Sequence, residues 1–210
     1  MTDATSPRDT LATRSSLLSR LRHASDAAGW ETFHSRYLRL IRHVCVKSGL
    51  SHEDAEDVAQ ETLAAVAQQM TDFKHDRSRG TFRGWLHRIA ANKVADHLRR
   101  KYRENAVRSP LPEGPDGRTG PVESLPDPSP IDGAWEEEWR SHLMERALER
   151  VQTQVSARSM QIFHLSAVKG WSVEQIRETL CIGRTPVYLA RHRVGRLMKK
   201  EIARLREELE

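Results

Sequence analysis

Apolar residues recur at three- and four-residue spacing along most of the chain, the pattern of helices that each bury one face. Leu17, Leu18 and Leu21 predict a short first helix with Arg14, Arg20 and Arg22 exposed, broken by Gly29 before the next. Trp30, Phe33, Tyr37, Leu38, Ile41 and Val44 predict a strongly amphipathic helix to about Lys47, ended by Gly49. Ser51 stands where a cap is needed, and His52, Glu53 and Asp54 fill the first turn, where exposed amides and the helix dipole favour carboxylates. That helix buries Ala55, Val58, Ala59, Thr62, Leu63 and Val66 and runs to about Met70, while Glu53, Asp57, Gln60, Glu61 and Gln68 point elsewhere. Residues 73–81, FKHDRSRGT, carry too much charge and turn chemistry for a helix and read as a loop. Phe82, Trp85, Leu86, Ile89, Val94 and Leu98 mark another helix through about Tyr102, its outer side carrying Arg83, Arg88, Asn92, Lys93, His97, Arg99, Arg100, Lys101 and Arg103.

Prolines and glycines at 109–133 are too frequent for regular structure and predict a flexible linker. Helical spacing resumes at Trp135, with Trp139, Leu143, Ala147, Leu148 and Val151 inside, and Ser156 can cap a further helix carrying Met160, Ile162, Phe163, Leu165 and Val168. The expectation is an all-α protein with two small helical domains: a tail at 1–12, a first domain at 13–104, a linker at 105–133 and a second domain at 134–210.

The second domain ends in a helix-turn-helix pattern at 172–196. Ser172 and Gln175 have capping-box spacing. Val173, Ile176 and Leu180 share a face, Ile182 sits in the turn, and Val187, Ala190, Val194 and Leu197 continue the stripe. Thr185 and Pro186 are predicted as cap and first residue of the second helix, because proline's missing amide has no helical partner there. Arg177 stands where a small residue usually lets the two helices approach, and Cys181 where glycine usually makes the turn. The outer face, with Arg184, Tyr188, Arg191, His192, Arg196 and Lys199, suits the major groove. The plainer alternative is a basic amphipathic hairpin that only packs.

Charge adds direction. The net charge of +5 attracts polyanions, and basic residues crowd into 83–108 and 184–206 while 51–61 carries only negative charge. Cations interleaved with aromatics and an amide at 82–103 suit unpaired nucleic acid, although Phe82 and Trp85 are expected to pack inward. Cys45 and Cys181 belong to no paired motif and predict free thiols in a reducing compartment. No apolar run reaches membrane-spanning length and the polar N-terminus has no signal-peptide core, so the expected location is the cytoplasm, with no membrane partner. His52 and Glu56 have metal-ligand spacing but no third ligand nearby, and no nucleophile or ligand triad emerges, so neither metal, cofactor nor enzymatic activity is expected.

In this order the segments resemble the extracytoplasmic-function sigma factors, the smallest members of the sigma-70 family. DAEDVAQET at 54–62 is similar to the region 2 helix that grips the clamp helices of the RNA polymerase largest subunit; RGTFRGWLHRIAANKVADHLRR at 79–100 is similar to the segment that opens and reads the minus-ten element; 172–196 is similar to region 4.2, which reads the minus-thirty-five element. The resemblance implies polymerase contacts at Glu53, Asp57, Gln60 and Glu61. It implies minus-ten contacts at Arg83, Arg88, Asn92, Lys93, Arg99 and Arg100, with Asn92 helping to form a base pocket that the 73–81 loop closes. It implies minus-thirty-five contacts at Arg184, Thr185, Tyr188, Arg191 and His192. Implied partners are core RNA polymerase, through clamp helices and flap, promoter DNA both duplex and unpaired, and an anti-sigma factor. The competing class is a helix-turn-helix regulator that binds duplex DNA with no sigma role.

Overall fold

The computed structural model describes residues 15–21, 25–70, 73, 80–108 and 129–210. The expected tail, the loop at 74–79 and the linker at 109–128 lie outside the described residues, as do Arg14 and Arg22. The described residues form eight helices and no strand: α1 (Ser15–Arg20), α2 (Ala27–Lys47), α3 (His52–Gln69), α4 (Phe82–Arg108), α5 (Ser129–Gln152), α6 (Ala157–Ala167), α7 (Val173–Leu180) and α8 (Arg184–Leu209). The chain divides into two compact units, Met1–Trp139 and Arg140–Glu210, with the division inside α5. Helix α4 continues past residue 104 and α5 begins at Ser129, so regular structure intrudes on the expected linker from both sides.

In the first unit α2 packs on α3 and α3 on α4. The apolar stripes meet as the spacing requires: Phe33, Tyr37, Ile41 and Val44 of α2, Ala55, Val58, Leu63 and Val66 of α3, and Phe82, Leu86 and Ala90 of α4 are buried. Each large side chain so placed contributes roughly 1.5–3 kcal/mol. Phe82 packs edge-on against Tyr37 at 5.5 Å and Phe73 at 5.9 Å, and Trp85 lies 4.5 Å from Phe73, so both rings of the basic helix face inward as expected. Buried Thr62 is satisfied locally, its hydroxyl donating to the Val58 carbonyl at 2.7 Å. Burial pushes the Cys45 thiol up to about 12, which keeps it protonated, and both cysteines are free.

Gly29 corrects the sequence expectation, because it lies inside the first turn of α2 rather than breaking a helix. Asp26 caps that helix by accepting the Gly29 amide at 2.9 Å, and a Cβ at position 29 would meet the same carboxyl group at 3.1 Å. His97 is a second correction: expected outside, it is buried, with Nε2 3.4 Å from Asp54.

In the second unit Ile162, Val173, Ile176, Val187 and Ala190 form a core, flanked by Leu165, Trp171, Leu180 and Ile182. The capping box at Ser172 is present in both directions, the hydroxyl accepting from the Gln175 amide at 3.2 Å and the Gln175 side chain accepting from the Ser172 amide at 2.8 Å. Cys181 adopts φ 51°, ψ 50°, so the turn is made in the left-handed region by a residue other than glycine. The second helix starts earlier than expected: Gly183 is its cap and Arg184 its first residue, which places Thr185 and Pro186 within the first turn. Proline costs no bond there, since first-turn amides have no intrahelical acceptor. Helix α8 continues to Leu209 because Met198, Leu205 and Leu209 prolong its buried stripe, with Glu201 on the same stripe.

Candidate functional site

The polar side of α3 is divided between two surroundings. Asp54 and Glu61 turn toward α4, where Asp54 meets Lys101 at 2.5 Å and Glu61 meets Lys93 at 3.5 Å and Arg100 at 4.0 Å. Bonding to Lys101 and to the Ser51 cap lowers the Asp54 carboxyl to about 2. Glu53 and Asp57 are exposed and make no ion pair among the described residues. Gln60 is exposed beside them, 3.3 Å from His34 Nε2 and donating to Glu56 at 3.2 Å. Of the four predicted polymerase contacts, three therefore form one outward row and Glu61 is shared with the basic helix. Exposed pairs like these are weak, so they fix how α3 and α4 face each other more than they stabilise the fold.

Helix α4 distributes the six predicted minus-ten residues three ways, as its 3.6-residue period demands. Arg88, Asn92 and Arg99 are exposed on the outward side, with Arg99 held at 3.1 Å by Asp96 one turn back. Lys93 and Arg100 lean on Glu61, and Arg100 also reaches His97 Nδ1 at 3.1 Å. Arg83 is directed away from both groups: it pairs with Glu136 and stacks over the Trp139 ring at 5.7 Å. Nothing in the spacing of α4 announced that partner, which comes from beyond the linker.

The same acidic stretch engages α2. Lys47 lies 2.7 Å from Glu137 and 2.8 Å from Glu138, and His43 Nδ1 lies 3.2 Å from Glu138. Glu137 and then Glu138 raise the Lys47 ammonium. Burial pushes the Glu138 carboxyl up, but Lys47 and His43 outweigh it and hold it below the usual carboxylate value.

In the second unit the exposed face of α8 presents Arg184, Thr185, Tyr188, Arg191 and His192 in two successive turns. Arg184 is paired with Glu174 of α7 at 2.8 Å, and the other four have no hydrogen bond or ion pair among the described residues. Tyr188 is 58% exposed and Leu189, which sequence reasoning passed over, is 65% exposed. Its place off the Val187, Ala190 and Val194 stripe is the signal that could have found it. The face can therefore offer apolar contact as well as hydrogen bonds and charge to a groove. Arg177 is half-buried and pairs with Glu178 of its own helix at 3.6 Å, its Nε without a hydrogen-bond partner.

Comparison with known proteins matches residues 33–104 to the family described as Sigma-70 region 2, a stretch that holds α3, most of α2 and α4 through Glu104. Over 65 residues, 31% of this chain, the sequence is 42% identical to the ECF RNA polymerase sigma factor SigE of Mycolicibacterium smegmatis, and the match spans 23% of that protein's length. The solved structure of CnrH in complex with the cytosolic domain of CnrY is similar across 90% of this chain and 96% of that one, at 18% identity and a TM-score of 0.36, a likeness too loose to build on.

Proposed function

From the match of residues 33–104 to Sigma-70 region 2, we propose that this chain is a promoter-specificity factor of the sigma-70 family, of the extracytoplasmic-function type, without catalytic activity of its own. The observation that carries this is the division of the region 2 surface: an outward acidic row, Glu53, Asp57 and Gln60 on α3, separated by the Glu61–Lys93 contact from an outward row on α4, Arg88, Asn92 and Arg99. The acidic row is suited to a basic partner on core polymerase, the clamp helices. The second row is suited to the unpaired minus-ten strand, where guanidinium groups hold phosphates and the Asn92 amide reads a base edge. Extruding a base costs a few kcal/mol, which pocket and phosphate contacts must recover. Thr185, Tyr188, Arg191 and His192 on α8 would read the minus-thirty-five duplex in the major groove. The chain would act on the nucleoid in the cytoplasm; no described helix is long and apolar enough to cross a membrane.

Co-elution with core RNA polymerase tests this. Glu53→Lys with Asp57→Lys reverses two exposed charges without disturbing the Glu61 contact, and should abolish co-elution while leaving the helical signal unchanged. Retained co-elution would remove α3 from the polymerase contact. A chain that never associates with core yet binds a duplex operator would be a helix-turn-helix regulator instead.

A further inference from the structure

The acidic segment at the start of α5 covers a cationic surface that α2 and α4 build between them. Asp132, Glu136, Glu137 and Glu138 crowd four basic residues: His87 Nε2 lies 3.0 Å from Asp132, Arg83 pairs with Glu136, Lys47 holds Glu137 and Glu138, and His43 holds Glu138. His87 is in ion-pair range of Asp132 but misaligned, its buried Nε2 making no hydrogen bond. Two tryptophans anchor the segment. Trp135 is 3% exposed with its ring 5.0 Å from His87, and Trp139 is 1% exposed beneath the Arg83 guanidinium. Carboxylates at this spacing match cations that a nucleic-acid backbone would otherwise attract. Arg83 and His87 lie on the same helix as the outward row of Arg88 and Asn92, but on a different side of it.

We propose that His43, Lys47, Arg83 and His87 form a second binding surface for the phosphates of unpaired DNA, and that the Asp132–Glu138 stretch of α5 occupies it in the free chain as a competing polyanion. Binding of an unpaired strand there requires the stretch to leave. The masking keeps the free chain from spending this surface on nonspecific DNA.

The test is fluorescence anisotropy of the full chain with a labelled single-stranded oligonucleotide. Glu136→Gln, Glu137→Gln and Glu138→Gln together keep side-chain size and the tryptophan anchors. They should tighten binding roughly tenfold and steepen the log–log salt dependence by about 1.4, from about 0.7 for each of two freed cations, Lys47 and Arg83. Adding Lys47→Ala to that triple variant should reverse most of the gain. A charge-matched control, Glu31→Gln, Glu104→Gln and Glu207→Gln, should gain less than twofold. No gain in the first triple variant, an equal gain in the control, or a gain that survives Lys47→Ala each overturns the proposal. Because the assay contains no polymerase, its failure is separable from failure of the sigma-factor reading.

Discussion

Glu201→Gln is the sharpest test of how the second unit is held. Glu201 is 2% exposed on a stripe otherwise made of Val187, Ala190, Val194, Met198, Leu205 and Leu209. Its carboxylate is met by Arg150 at 3.5 Å, Gln154 at 3.4 Å and Arg204 at 3.1 Å, and Arg150, itself buried, also bonds Glu208 at 2.8 Å. Removing one member of a buried pair costs about 3–5 kcal/mol because it strands the other charge. Glu208 still neutralises Arg150, which sets the expected cost near the lower end, about 3 kcal/mol. Hydrogen exchange of the α8 amides around Val194 should then accelerate roughly 150-fold. Replacing both partners, Arg150→Met with Glu201→Leu, removes the desolvation cost and extends the apolar stripe, so stability should return to within about 1 kcal/mol of the parent or exceed it. Unchanged exchange in Glu201→Gln, or a double variant as labile as the single one, would show that the network carries no such energy.

Cys181→Gly should stabilise the second unit by about 0.5–1 kcal/mol, the left-handed penalty of about 1–2 kcal/mol less glycine's extra unfolded-state entropy; a lower denaturation midpoint would refute it. Lys101→Ala should return the Asp54 carboxyl from about 2 toward its ordinary 3.8, read by NMR titration. The sign follows from the lowered value: the stabilisation is present above the unfolded value and is lost as pH falls through the folded one, so Lys101→Ala should flatten the acid limb of the stability profile between about pH 4 and 2. Asn92→Ala should impair open-complex formation more than duplex binding, with equal losses counting against a base pocket. Arg191→Ala should weaken minus-thirty-five duplex binding by about 1–3 kcal/mol at one base position, and a loss uniform across sequences would make it a phosphate contact.

The helices were legible because their apolar stripes keep the helical period, and the caps at Ser51, Ser156 and Ser172 were legible because one hydroxyl next to a stripe is a local signal. Gly29 taken alone reads as a breaker, but Asp26, three residues earlier, accepts its amide and makes it part of a first turn. The start of α8 is hidden in the sequence because Gly183 caps without a side chain, leaving the Thr-Pro pair as the louder cue. What single-helix spacing cannot contain is the register between helices. It could not say that His97 would turn inward to Asp54, that Glu61 would be shared with Lys93, or that Arg83 would find Glu136 from beyond the linker. Glu201 did carry a signal, a carboxylate at a stripe position, which asks for a buried cation somewhere else in the chain.

The central claim is tested most directly by run-off transcription with purified core RNA polymerase on a library of promoters. Adding this chain should confer initiation at a defined subset sharing an upstream duplex element and a downstream melted one, with Glu53→Lys/Asp57→Lys inactive. Start sites unchanged from those of core alone, with the chain occupying a duplex operator unaided, would contradict it.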